Sequence, residues 1–119
     1  MAIIEVDDES FKQELNSAFN KKEPVILKFG SEYCEPCHAL ETELEELDEE
    51  LDNITILMID TDEYPELTEE YDVYALPTMV IYDLNQQIIY NKEGIILAED
   101  IKEIIATEIS KIKNSKEKK

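Results

Sequence analysis

Val25-Ile26-Leu27-Lys28-Phe29-Gly30-Ser31-Glu32-Tyr33-Cys34-Glu35-Pro36-Cys37 is the stretch on which the fold turns. Its first five residues are a nearly continuous apolar run, which suits a central strand covered on both faces. Gly30 to Tyr33 read as a loop. Cys34 and Cys37 follow, the only two cysteines of the chain. Thiols at this spacing can close into a small disulfide ring and open again, a two-electron chemistry in itself. A helical pattern starts with the pair. A cysteine in the first turn of a helix sits in that helix's positive field, which favours thiolate over thiol. The thiolate is the nucleophile in disulfide exchange.

Working outward, the pattern alternates between α and β. Ile3 to Val6 is a short first strand. Asp7 or Asp8 then caps a helix whose apolar face is Phe11, Leu15, Ala18 and Phe19. The helix that begins at about Cys34 runs to Leu51, with Leu40, Leu44, Leu47 and Leu51 as its inner stripe. Its other face is densely acidic: Glu41, Glu43, Glu45, Glu46, Asp48, Glu49, Glu50 and Asp52. That run reads as a solvated helix face, with an acidic docking surface as the alternative. Ile54 to Ile59 is a second buried strand. It ends at Asp60, which reads as a cap for the next turn. Thr61 to Asp72, containing Pro65, is a short helix. Thr78 to Tyr82 is a strand, Asp83 to Gln86 a turn, and Gln87 to Tyr90 the hairpin partner. Gly94 breaks the chain. The last helix, from about Ala98 to Ile112, buries Ile101, Ile104, Ile105, Ile109 and Ile112. The order β-α-β-α-β-α-β-β-α describes a mixed sheet of about five strands with four helices on both sides, an α/β fold. Residues 1–112 form one domain, and the lysine-rich tail 113–119 is expected to fray.

At 119 residues, 43% hydrophobic and 34% charged, the chain has the size and composition of one globular domain. Its formal net charge is −19, and all eleven basic residues are lysines. No basic stripe is available to neutralise phosphates, which argues against nucleic-acid binding. Binding to an acidic membrane surface is equally disfavoured. No signal peptide and no membrane-spanning run is visible. The expected location is therefore the cytoplasm, where structural disulfides are rare. A lone cysteine pair there points to redox or metal chemistry rather than a structural staple.

With these pieces in order, the chain resembles the thioredoxin family from about Ile3 to Ile112. The matching residues are Ile3-Ile4 with Asp8-Glu9-Ser10-Phe11, the strand Val25 to Phe29, Cys34-Glu35-Pro36-Cys37, Ile59-Asp60, Leu76-Pro77-Thr78, and Gly94. The resemblance implies a thioredoxin fold and gives the matched positions roles. Cys34 would be the exposed attacking cysteine and Cys37 the buried resolving one. Pro36 would bend the first helical turn. Leu76 and a cis Pro77 would pair with an extended substrate segment. Gly94, with Ile95, would line the same groove. Tyr33 stands where the family commonly has tryptophan. The family's buried aspartate aligns with Lys28 and its companion lysine with Ile56, and the glycine usual after the first cysteine is Glu35.

The implied activity is protein-disulfide exchange. Cys34 attacks a partner's disulfide, and Cys37 then attacks Cys34 and releases the reduced partner. The chain shows no flavin or nicotinamide motif, so the electron donor is expected to be a separate protein reductase. The expected cofactor set is empty apart from the Cys34–Cys37 disulfide, and the expected state is a monomer. The alternative is an accessory or redox-sensing module serving one dedicated partner. Glu35, by sign alone, raises the Cys34 pKa, unless solvent screens it. Lys28 either packs its stem on the core and snorkels, or places its ammonium near Cys37 to stabilise a thiolate or move a proton. Cys34-x-x-Cys37-His38 also fits a c-type haem attachment pattern, but the matches elsewhere in the chain favour His38 as a solvent-facing helix residue. A zinc site needs four ligands, and this chain offers two cysteines and one histidine within one turn.

Overall fold

The computed structural model describes residues 3–117, with side chains as far as residue 111. The elements are β1 (Ile3–Glu5), α1 (Ser10–Asn20), β2 (Val25–Gly30), α2 (Glu35–Glu50), β3 (Thr55–Asp60), α3 (Pro65–Glu70), β4 (Thr78–Tyr82), β5 (Ile88–Glu93) and α4 (Ala98–Glu117). The strands form one sheet in the order β1-β3-β2-β4-β5. β1, β3 and β2 run parallel, and β4 and β5 are antiparallel. The element order read from hydrophobic periodicity is borne out, and β2 is the central strand.

Alternation along β2 decides which side chain meets which helix. Val25, Leu27 and Phe29 join a core with Phe11, Leu15 and Ala18 of α1 and Leu67 of α3. Ile26 joins the opposite core, with Leu40, Leu44 and Leu47 of α2 and Ile101 and Ile105 of α4. Lys28 and Gly30 share the parity of Ile26, so they lie under α2.

Asp7 caps α1, because its Oδ1 accepts the N–H groups of Glu9 (3.0 Å) and Ser10 (2.7 Å). Ser10 Oγ in turn accepts the N–H of Asp7 at 3.0 Å, a reciprocal arrangement of the capping-box kind. Asp60 caps the turn after β3, accepting from the N–H groups of Asp62 and Glu63.

Two boundaries fall several residues beyond the sequence reading. β5 extends to Glu93, because pairing continues as far as Thr78↔Glu93. α4 extends to Glu117. No glycine or proline follows Ile112 to break the helix there. The burial expected of Ile112 lies outside the described side chains, and residues 118–119 lie outside the described residues.

The acidic face of α2 is only partly solvated. Glu43 accepts the N–H of Ala98 at 2.9 Å, satisfying the first turn of α4, and Glu50 pairs with Lys102 at 3.0 Å. Glu41 turns inward.

Candidate functional site

Register brings the sequence-predicted site residues to one end of the sheet. Phe29 pairs with Thr78, and Thr78 pairs with Glu93. Immediately beyond this row stand the loop to Cys34, Pro77 and Gly94. The Leu76–Pro77 peptide bond is cis, and the N–H of Gly94 donates to the Pro77 carbonyl at 2.8 Å. Gly94 has φ +96°, a backbone region that favours glycine. A Cβ there would meet nothing within 4 Å, so conformation rather than space accounts for the residue. Ile95 is exposed, Leu76 half-buried and Pro77 buried.

The loop before the cysteines is tied down. Ser31 Oγ donates to Asp62 at 2.6 Å, and the Gly30 carbonyl accepts the Thr61 N–H at 2.9 Å. Cys34 is the N-cap of α2, and its Sγ accepts the Cys37 N–H at 3.2 Å. Sulfur thus occupies the acceptor position at the positive end of a 16-residue helix. Glu35 and Pro36 make up the first turn, where a missing proline N–H breaks no helical bond. Glu35 is exposed. Cys34 and Cys37 are joined in a disulfide with Cα atoms 5.2 Å apart. Cys34 is half-buried, and Cys37 is fully buried in the core face of α2. Tyr33 is 90% exposed, so its ring does not cover the Cys34 sulfur in the free protein.

Lys28 is 3% exposed. Its stem packs in the core, and its ammonium donates to Glu41 Oε1 at 2.6 Å. The side chain does not snorkel away from the cysteines. A Cβ placed on Gly30 would lie 2.7 Å from Lys28 Nζ and 3.2 Å from Cys37 Cβ. The ammonium and the Cys37 side chain therefore both border the space that glycine leaves open. Sequence reasoning missed Glu41 by counting it in the solvated acidic face. The signal was available: Glu41 is one helical turn after Cys37 on the same side of α2, and the alternation of β2 aims Lys28 at that side.

His38 completes the group. Its Nε2 lies 2.8 Å from the Glu32 carbonyl and its Nδ1 3.5 Å from Glu41 Oε2. The Glu32 carbonyl bond, followed by Glu41, raises the His38 pKa above its ordinary 6.5. For Glu41 the largest single influence is burial, which pushes its pKa up. The hydrogen bond and charge of Lys28, with His38 behind them, outweigh it, and the carboxyl stands below its ordinary 4.5. The stabilising contribution of Glu41 is thus present above its unfolded pKa and lost as pH falls through the folded one. That of His38 is present below its unfolded pKa and lost as pH rises through the folded one. The urea midpoint of His38→Ala should therefore trail wild type by more at about pH 5.5 than at about pH 8.5. An equal gap at both values would refute the linkage.

A cleft of about 350 Å³ opens beside Lys28, Gly30, His38 and Glu41. Among the described residues there is no group of three or more His, Cys, Asp or Glu placed to hold a metal ion, and no helix is long and apolar enough to cross a membrane.

The thioredoxin family model matches residues 2–107. A thioredoxin from Pyropia yezoensis is 32% identical over 89 residues, covering 74% of this chain and 80% of that protein. A bifunctional thioredoxin reductase/thioredoxin from Mycobacterium leprae is 32% identical over 106 residues, covering 86% of this chain and 22% of that protein. Among solved structures, chloroplastic thioredoxin z superposes with a TM-score of 0.79 at 29% identity, over 90% of this chain and 94% of that one. The family match spans every strand of the sheet and both cysteines, so the chain belongs to the thioredoxin family and is a protein-disulfide oxidoreductase.

Proposed function

We propose that the protein is a dithiol reductase of partner-protein disulfides in which Cys34 attacks and Cys37 resolves. The observation that carries this reading is the asymmetry of the pair: Cys34 is half-buried at the helix N-cap, whereas Cys37 is fully buried. Only the first can meet a partner's sulfur. The helix N-terminus favours its thiolate, and the second thiol is already at high effective concentration. Each cycle moves two electrons: the partner disulfide is reduced, and the Cys34–Cys37 disulfide forms.

Leu76, Pro77, Gly94 and Ile95, gathered by the strand register at the same sheet end, serve as the surface on which an extended partner segment lies. Tyr33, free in the unbound protein, closes over that segment. Glu35, Pro36, Lys28 and His38 tune the pair. The electron donor is a separate reductase of the thioredoxin-reductase type, and the fusion of both activities in the Mycobacterium leprae relative supports that pairing. The protein works in the cytoplasm as a monomer. A formal charge of −19 with no arginine argues against nucleic acid or an acidic membrane as partner.

The test is reduction of insulin with dithiothreitol as electron donor. Catalysis at micromolar protein is the expected result. Failure to accelerate it, with cysteines that still oxidise and reduce, would overturn general reductase activity in favour of one dedicated partner.

A further inference from the structure

We infer that Glu41 is the proton acceptor for Cys37, reached through the Lys28 ammonium. The inference rests on the reading of Cys37 as the resolving thiol. Cys37 is fully buried and must lose its proton before it can attack. A charged group that borders the same gap at Gly30 is the Lys28 ammonium, which has donors and no acceptor. It cannot take a proton unless it gives one up. The group to which it already donates is Glu41.

Exposure rises along this line. The Lys28 side chain is 4% exposed, that of Glu41 34% and that of His38 53%. The line therefore leads from a sealed sulfur to the cleft. A second hydrogen bond, from His38 Nδ1, reaches the other Glu41 oxygen. Other titratable groups line the cleft: Glu5 at the end of β1 and Asp7 beyond it, Glu32 in the loop, Asp60 at the end of β3, and Glu63 and Tyr64 beyond it. Lys28 is bonded to none of them.

The step balances as follows. The Cys37 S–H proton passes to Lys28 Nζ as Nζ passes one of its own to Glu41, so an S–H bond breaks and a carboxyl O–H bond forms. The lysine ends as it began, charged. The Cys37 thiolate attacks Cys34 Sγ in the mixed disulfide. The Cys34–partner S–S bond breaks, and the partner's sulfur leaves with the electron pair as a thiolate. The Cys34–Cys37 bond forms. Glu41 then releases the proton to water in the cleft.

The test uses reduced full-length protein and dithiobis(nitrobenzoate), read by stopped-flow absorbance. Attack by Cys34 releases the first thionitrobenzoate, and resolution by Cys37 releases the second. Glu41→Gln keeps the side-chain volume and an oxygen for Lys28, but its amide is not a base. We expect it to leave the first phase unchanged and slow the second about a hundredfold at neutral pH, the lower end of what a positioned proton-transfer group contributes. The slowed phase should accelerate with rising pH as hydroxide takes over. Glu41→Asp should recover most of the rate, and Glu45→Gln, an exposed acid on the same helix, should match wild type. Lys28→Met/Glu41→Gln should be no slower than Lys28→Met alone, since both groups act on one path. A Glu41→Gln second phase with wild-type rate and pH profile would overturn the inference. So would equal slowing of both phases, which signals a structural effect. The first phase tests the role of Cys34 separately: if Cys34→Ser retains it, the assignment of the attacking thiol fails instead.

Discussion

Cys34→Ser should lose disulfide reductase activity by on the order of 10³-fold or more, as enzymes do when a covalent nucleophile is removed, while Cys37→Ser should accumulate as a covalent adduct with its partner. The two thiols look equivalent in sequence, but their surroundings differ. A serine at Cys34 leaves no group that can form the first S–S bond, because Cys37 is fully buried. A serine at Cys37 leaves the first attack intact and removes the internal sulfur that would end it. The adduct should survive non-reducing electrophoresis and run free after dithiothreitol. If Cys34→Ser keeps more than about a tenth of the activity, or adducts map to Cys37 in the wild-type protein, the division of labour is wrong.

Phe29→Ala should cost about 3–5 kcal/mol, the range for removing a fully buried aromatic ring. A domain of this size has only about 5–15 kcal/mol in total, so the variant should lie near its folding threshold at body temperature. Phe29 is fully buried near the C-terminal end of β2 and packs against Tyr71 with ring centroids 5.4 Å apart. Tyr71 is itself fixed by a 2.9 Å bond to the Tyr82 hydroxyl and an edge contact with Phe11. The cavity would therefore open between a strand and two aromatic rings that have little freedom to collapse into it. Urea unfolding should show a much lower midpoint with an unchanged slope. A loss under about 1 kcal/mol would mean that the core relaxes around the gap, against the packing seen here.

Much of the fold was legible because its signals are local. The run Val25 to Phe29 reads as a strand covered on both faces, and it is. Leu40, Leu44, Leu47 and Leu51 read as the inner stripe of α2 by spacing alone; the first three are fully buried, and Leu51, at the C-cap, is half-buried. Asp7 was one of two candidate caps, and the hydrogen bonds select it over Asp8. The end of β5 was missed because it depends on how far β4 lies alongside it. The reach of α4 was missed because the tail's charge suggested fraying, whereas helix continuation needs only residues compatible with it.

The site divides in the same way. Residues carried by a motif, Cys34 to Cys37 and Leu76-Pro77, could be named from the sequence. Glu41 was counted with the seven other acids around it, since composition makes them alike, and only its place one turn after Cys37 sets it apart. Tyr33 could be placed beside Cys34 in the chain, but not in the open position it occupies.

The sequence by itself determined the order of strands and helices, the redox chemistry of the cysteine pair and a strongly acidic balance with no basic stripe. These follow from spacing, side-chain type and net charge, which need no third dimension. Tertiary structure alone decided that Lys28 is sealed against Glu41 beside Cys37 and that two acids of α2 serve α4. The reason is physical: such pairings depend on which face of a strand meets which turn of a helix, and a contact across 13 or 55 residues leaves no periodic trace in the chain.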